Sequence, residues 1–129
     1  MPVLDAIGIV TANVGVSMQF YRLLGFEFPD KEDDHVEAVT PSGLRVMLDV
    51  LDMVKQYDPD WVTPQGRPIG LAFLCESPSD VDATYERVLA AGHRGKVPPF
   101  DADWGQRYAT VLDPDGNAVD LFARFADAA

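Results

Sequence analysis

The sequence is poor in the residues from which most catalytic and metal sites are built. Its 129 residues include one cysteine and two histidines. The single cysteine, Cys75, excludes a disulfide within the chain and is typical of a reducing cytoplasm. Its place at the end of an apolar run favours a buried structural thiol over a nucleophile. His35 begins a middle strand and His93 follows the helix-ending Gly92, and we expect both histidines on the surface.

Basic residues and long apolar segments are also scarce. Ten Lys and Arg stand against 21 Asp and Glu, which gives a formal net charge of −11. This acidity repels nucleic acid, and no apolar run approaches the roughly 18 residues that span a membrane. The first residues lack a basic segment followed by an apolar core, so we expect no secretory signal. The sequence therefore predicts a cytoplasmic protein without nucleic-acid or membrane partners.

Sequence motifs of the common enzyme classes are missing as well. The chain has no glycine-rich phosphate loop, no Gly-x-Ser-x-Gly turn and no His-Glu-x-x-His helix. Its length suits one domain, residues 1–129, with a core of ordinary size. Function must therefore be inferred from the organisation of the chain and from its aromatic and acidic side chains.

An approximate internal repeat is the first positive feature. The first copy, about residues 4–51, begins with an apolar strand at 6–10. A helix follows, with Thr11 or Asn13 as the candidate cap and Gly25 as its stop. Three further β-type runs then follow, near 27–28, 35–40 and 44–50.

The second copy, about residues 68–125, has the same order. An apolar strand at 70–74 precedes a helix that is capped by Ser77 or Ser79 and ends at Gly92. Three β-type segments follow it, a short one near 96–97 and strands at 108–112 and 118–122. Both copies therefore predict a β-α-β-β-β module, and the fold class is α+β. Between them, residues 52–67 form a linker or lid whose start, with Leu51, predicts a short helix as far as Tyr57.

Two motifs in these repeats resemble a known family. Residues 104–108 read Trp-Gly-Gln-Arg-Tyr and precede a hairpin turn, Asp-Pro-Asp-Gly-Asn at 113–117, and then Asp120 and Leu121. Residues 20–26 read Phe-Tyr-Arg-Leu-Leu-Gly-Phe. Together with the repeat they resemble the vicinal oxygen chelate superfamily, which includes glyoxalase I, extradiol dioxygenases and bleomycin resistance proteins. The resemblance implies two half-cup sheets around a ligand cavity, whose modules pair within one chain or across a homodimer; we predict a homodimer.

The resemblance also implies where a metal would bind in the enzymes of this superfamily. Their His and Glu ligands correspond here to Ala6, to Leu48 or Asp49, to Gly70 and to Asp120. Ala, Leu and Gly side chains cannot ligate, and carboxylates without imidazole make a poor transition-metal site. We therefore expect no metal and no cofactor, and no metal-bound electrophile. Whether the chain is an enzyme stays open, with binding favoured over catalysis.

Metal-free members such as the bleomycin resistance proteins share the Trp104-Gly105 loop and the acidic balance. Aromatic faces beside carboxylates suit planar cationic ligands. The predicted ligand-binding residues are Trp61, Trp104, Tyr108, Asp120, Phe122 and Asp49. As alternatives, the two tryptophans cover open sheet edges or a dimer interface, and Asp120 pairs with a neighbouring arginine. An inward Arg45, which shares a strand face with Asp49, would instead favour an anionic ligand.

The leading functional hypothesis is metal-independent binding of a small organic ligand, with antibiotic resistance by sequestration as one use. The alternative is a lyase, isomerase or dioxygenase-type enzyme of the same fold that acts on a small metabolite. A third hypothesis is a structural or regulatory dimer with a vestigial cavity.

Overall fold

Two β-sheets with three helices make up the computed structural model, which describes residues 1–66 and 69–126. The α+β class is therefore confirmed. The chain divides into two compact units, Met1–Gln65 and Gly66–Ala129. Arg67 and Pro68, at the predicted junction of the linker and the second copy, lie outside the described residues. Among the helices of the described part, none has the length and apolar character that a membrane crossing needs.

The first unit contains a three-stranded sheet with the strand order β1-β3-β2. β1 runs parallel to β3, and β2 runs antiparallel to it. Its elements are β1 (Ala6–Thr11), α1 (Val14–Leu23), β2 (His35–Val39), β3 (Arg45–Val50) and α2 (Leu51–Tyr57). The predicted strand at 27–28 is wrong. The Phe26 ring stacks on Tyr21 of α1 with the centroids 5.7 Å apart, and Phe28 packs edge-on against Phe26.

The start of α1 shows which of the two candidate caps is used. The Asn13 side chain accepts a hydrogen bond from the Val16 backbone N–H at 3.0 Å. Thr11 instead shares a buried hydrogen bond of 2.7 Å with the Ser17 hydroxyl. Asn13 is therefore the cap, and Thr11 ties the end of β1 to the first turns of the helix.

The second unit contains a four-stranded sheet with the order β4-β7-β6-β5. Its elements are β4 (Leu71–Leu74), α3 (Pro78–Ala90), β5 (Arg94–Ala102), β6 (Gln106–Leu112) and β7 (Ala118–Arg124). Ser77 is the cap of α3, because its hydroxyl oxygen accepts the Asp80 N–H at 3.2 Å. β5 is nine residues long, although only a short segment was predicted. It lies at the sheet edge, where its two prolines can be tolerated and its register shifts twice.

The β6–β7 hairpin is closed by one buried carboxylate. Asp113 is 1% exposed and accepts hydrogen bonds from the backbone N–H groups of Asp115 and Asn117, at 3.0 and 2.9 Å. It also accepts the Asn117 side-chain amide at 2.9 Å. Gly116 takes a φ of +87°, which a side chain would disfavour. These contacts set the register of the two strands that carry the candidate site.

Candidate functional site

The second sheet has one face packed against α3 and one face turned away from it. Side chains on the α3 face of β6 and β7 are almost fully buried: Ala109, Val111, Val119, Leu121 and Ala123. Arg107, on the same face, reaches Asp82 of α3. Since neighbouring residues of a strand point to opposite faces, Tyr108, Thr110 and Asp120 project away from the helix.

The strand register arranges the side chains of this second face in two rows. One row crosses all four strands and is apolar or aromatic: Phe100, Tyr108, Phe122 and Leu74. In the next row Thr110 lies beside Asp120, and Asp120 lies beside Ala72. Ala72, the β4 residue beside Asp120, is small and exposed.

Four aromatic rings form a continuous group on this face, which we call the aromatic wall: Phe100, Trp104, Tyr108 and Phe122. Trp104 lies in the turn between β5 and β6, with its ring centroid 5.4 Å from Tyr108 and 6.2 Å from Phe100. The rings of Tyr108 and Phe122 are 6.5 Å apart and stacked. Trp104 is 61% exposed, so a large part of its indole is available to a ligand. Phe100 was not among the predicted ligand-binding residues.

Asp120 is the charged group at the base of the aromatic wall. It is 6% exposed. Its Oδ1 accepts a hydrogen bond from the Thr110 hydroxyl at 2.8 Å, and its Oδ2 accepts one from the Tyr108 hydroxyl. Burial of a carboxylate is costly unless hydrogen bonds compensate it. Tyr108 therefore has two roles, since its ring belongs to the wall and its hydroxyl holds the carboxylate; the contribution of Thr110 had not been predicted.

A positive charge also lies at the edge of this face. The Arg124 guanidinium carbon is 5.5 Å from the centroid of the Phe122 ring, a cation–π distance. Arg124 is exposed and follows Phe122 by two residues, so it shares the strand face. One ring of the wall is thus already in contact with a cation.

In the first unit, Asp49 lies in a chain of charged groups on one face of the sheet. His35 Nδ1 is 2.5 Å from Asp49 and its Nε2 is 2.7 Å from Glu37. These contacts, with Glu37 first, raise the pKa of His35, and that of Glu37 is lowered. Arg45 binds Glu37 and Asp5. Both ring nitrogens of this surface histidine are therefore engaged by carboxylates.

The remaining candidates are not members of the aromatic wall. Trp61 belongs to the first unit, where its side chain is half-buried and its Nε1 has no hydrogen-bond partner among the described residues. Its role in binding stays a prediction, as does that of Asp49. His93 is half-buried with Nε2 shielded from solvent, so its predicted place on the surface is wrong. Cys75 is buried, as expected, and burial raises the pKa of its thiol.

The internal repeat shows which residue of the first copy corresponds to Asp120, and so which residues would have to bind a metal. β1 pairs Gly8 with Met47, and β4 pairs Ala72 with Asp120, so Met47 is the position in the first copy that corresponds to Asp120. Leu48, one of the two alternatives left open, is fully buried on the opposite strand face, and Asp49 is two residues away.

By this correspondence the position expected at Leu48 or Asp49 falls at Met47, alongside Ala6, Gly70 and Asp120. Alanine and glycine offer no donor atom, and a thioether suits soft copper rather than Fe, Mn, Ni or Zn. In residues 1–66 and 69–126 no three His, Cys, Asp or Glu side chains form a group that could hold a metal ion. The residues present do not fit the divalent metal of the superfamily's enzymes.

Comparison with known proteins identifies the family. The model of the glyoxalase/bleomycin resistance protein/dioxygenase superfamily matches residues 3–121. The chain belongs to this superfamily. An uncharacterized protein of Mycolicibacterium smegmatis is 27% identical over 114 residues, which cover 88% of this chain and 86% of the relative.

Solved structures of superfamily proteins share this architecture. A glyoxalase/bleomycin resistance protein/dioxygenase from Nocardioides is 25% identical, with a TM-score of 0.76 over 99% of this chain and 87% of that one. A lactoylglutathione lyase from Agrobacterium tumefaciens is 16% identical, with a TM-score of 0.66 over 94% and 92% of the two chains. The second likeness supports the fold alone. A protein named as an enzyme therefore shares this fold, and the activity of the present chain has to be argued from its own residues.

Proposed function

We propose that this superfamily member binds a small, flat organic molecule on the aromatic wall without the help of a metal. The observation that carries the proposal is the group of four aromatic rings on the helix-free face of the second sheet, with Trp104 61% exposed. Exposed contiguous apolar surface of this kind is typical of a ligand-binding site. Sequestration of a natural-product antibiotic is one biological use that the superfamily relationship suggests.

The charges around the wall favour a ligand with a positive or hydrogen-bond-donating group. Asp120 lies at its base, and the β4 residue beside it is the small Ala72. A ring that stacks on Trp104 and carries a cationic group near Asp120 would use both features. Arg124 at the edge would accommodate an anionic substituent on the far side of Phe122.

The experiment uses two probes of similar shape and opposite charge, 9-aminoacridinium and 9-anthracenecarboxylate. Quenching of Trp104 fluorescence is followed in the Trp61→Phe background, in protein treated with EDTA. We expect saturable quenching, with tighter binding of the cation. Trp104→Ala, followed by the probe's own fluorescence, should weaken binding about 2- to 12-fold, because an aromatic pair contributes about 0.5–1.5 kcal/mol.

Val62→Ala is a matched control, because it truncates another exposed apolar side chain, in the first unit. Equal affinity of wild type and Trp104→Ala would contradict the proposal, as would binding that requires an added divalent metal. A change of affinity in Trp61→Phe itself would support the predicted role of Trp61.

An enzyme of the lyase, isomerase or dioxygenase type is the second candidate. It is favoured by the hydrogen bond from the Tyr108 hydroxyl to the buried Asp120, since such a pair can exchange a proton with a bound substrate. This hypothesis predicts turnover of a metabolite and its loss in Asp120→Ala. Binding alone predicts that the ligand is recovered unchanged.

A homodimer and a cytoplasmic location remain predictions. Analytical ultracentrifugation at several protein concentrations would test the homodimer.

A further inference from the structure

A concave site lies on the other face of the same sheet, beside α3. A cavity of about 310 Å³ opens beside α3, over β5 and β6, and is lined by Asp82, Tyr85, Glu86, Leu89, Pro99 and Arg107. Four of these residues form one stripe of α3, at positions i, i+3, i+4 and i+7. The cavity shares no residue with the aromatic wall, and its volume is at the lower end of the range for small-molecule sites.

Tyr85, one of the lining residues, lies close to Gly95 of β5. A methyl group at residue 95 would lie 2.1 Å from the Tyr85 hydroxyl oxygen, far inside contact distance. Gly95 is not among the glycines with positive φ, so its backbone does not require glycine. Glycine is favoured at residue 95 by the close approach of Tyr85, whose side chain lies against the β5 backbone.

The charge of the cleft is negative. Arg107 donates to both oxygens of Asp82, at 2.9 and 3.0 Å, and to Asp101 at 3.0 Å. These carboxylates raise the pKa of Arg107, and the guanidinium lowers that of Asp82. The Arg107 cation thus faces two carboxylates, Asp82 and Asp101, and Glu86 adds a third carboxylate. No hydrogen bond or ion pair joins the Glu86 carboxylate to another described residue.

The cleft has apolar walls and an acidic edge. Leu89 is 40% exposed, and Tyr85 and Pro99 are half-buried. An aromatic ring and aliphatic carbons beside the unpaired Glu86 carboxylate suit a cation with an apolar body. We propose that this cleft is a second binding site, for an organic ammonium ion whose apolar part lies on Tyr85 and Leu89 and whose charge lies near Glu86.

The test is a titration of ¹⁵N-labelled protein with benzylammonium chloride at constant ionic strength, followed by amide chemical shifts. We expect saturable shifts in α3 and β5, and weaker binding of the neutral analogue benzyl alcohol. Glu86→Gln should raise the Kd about threefold, as for a partly exposed ion pair. Glu76→Gln is the matched control, because it removes one exposed negative charge just before α3 and away from the cleft.

Three results would overturn the proposal. These are equal binding of benzyl alcohol, an equal effect of Glu76→Gln, and shifts confined to the aromatic wall. Gly95→Ala is a second, independent variant that should displace Tyr85 and abolish the shifts. Trp104 lies on the opposite face of the sheet, so acridine binding by the aromatic wall can fail or succeed separately from this site.

Discussion

Replacing Asp113 with alanine should destabilise the protein and, through the hairpin, the aromatic wall. The Asp113 carboxylate is 1% exposed and accepts three hydrogen bonds, two from backbone N–H groups and one from the Asn117 amide. A hydrogen bond to a charged group contributes about 1.5–3 kcal/mol. The donors belong to exposed turn residues, which regain water in the variant, so about 1 kcal/mol is lost for each. We therefore expect the free energy of unfolding to fall by about 3 kcal/mol.

Asp113→Asn should lie between wild type and Asp113→Ala. Its remaining oxygen still accepts both backbone N–H groups, but its new amide faces the Asn117 amide at the position where a carboxylate oxygen had accepted. One hydrogen bond is lost and two donors oppose each other, at a cost of about 1–2 kcal/mol. Asp115→Ala is the matched control, since Asp115 is exposed in the same turn and its backbone N–H is unchanged.

The assay is urea unfolding at pH 7, followed by circular dichroism and by tryptophan fluorescence. Two probes are needed, because the two compact units can unfold separately. The reasoning would be refuted if Asp113→Ala cost no more than Asp115→Ala, or if Asp113→Asn cost more than Asp113→Ala. In the first case the three hydrogen bonds would not stabilise the hairpin, and its register would depend on strand packing alone.

Two further predictions concern the first unit. The hydrogen bonds of His35 with Glu37 and then Asp49 raise its pKa above 6.5, so their contribution is complete below 6.5 and is lost as the pH rises through the raised value. The urea-unfolding free energy of wild type minus that of His35→Gln should therefore decline as the pH rises above 6.5. The decline should be small because the groups are partly exposed, and a difference that does not change with pH would contradict this. Gly15→Ala would place a methyl group 2.6 Å from the Glu32 carboxylate, which is the end of an exposed, flexible side chain and can move aside. Because Gly15 lies in α1 and alanine is favoured over glycine in a helix by up to about 1 kcal/mol, thermal unfolding should show a small stabilisation, and a clear destabilisation would contradict this.

Local signals in the sequence predicted much of the fold. The caps Asn13 and Ser77 and the turn at 113–117 act over a few residues, and the short helix up to Tyr57 was also foreseen. The extent of β5 was missed because Pro98 and Pro99 usually interrupt a strand, and only its place at the sheet edge permits them. At 27–28 the β-type residues pack on α1 instead of pairing with a strand.

The sequence indicates which residues of the candidate site share a strand face, but it does not indicate which side chains contact one another. Side-chain alternation along a strand puts Asp120 and Phe122 on one face, and Tyr108 and Thr110 on one face of the preceding strand. Only the register shows that these two faces coincide, and that both hydroxyls reach the same carboxylate. The His35–Asp49 contact and the cleft beside α3 also depend on contacts between residues that are far apart in the sequence. The periodicity of a short segment does not reveal such contacts.

The correspondence of Met47 with Asp120 has a consequence for how this protein can change over evolutionary time. An ancestral duplication would have supplied the same strand position twice, and the two copies now carry opposite chemistry, a thioether and a carboxylate. Each copy has its own helix-backed sheet, so a substitution in one need not disturb the packing of the other. Saturation mutagenesis should therefore reveal different tolerances at the two positions, with apolar residues accepted at 47 and rejected at 120.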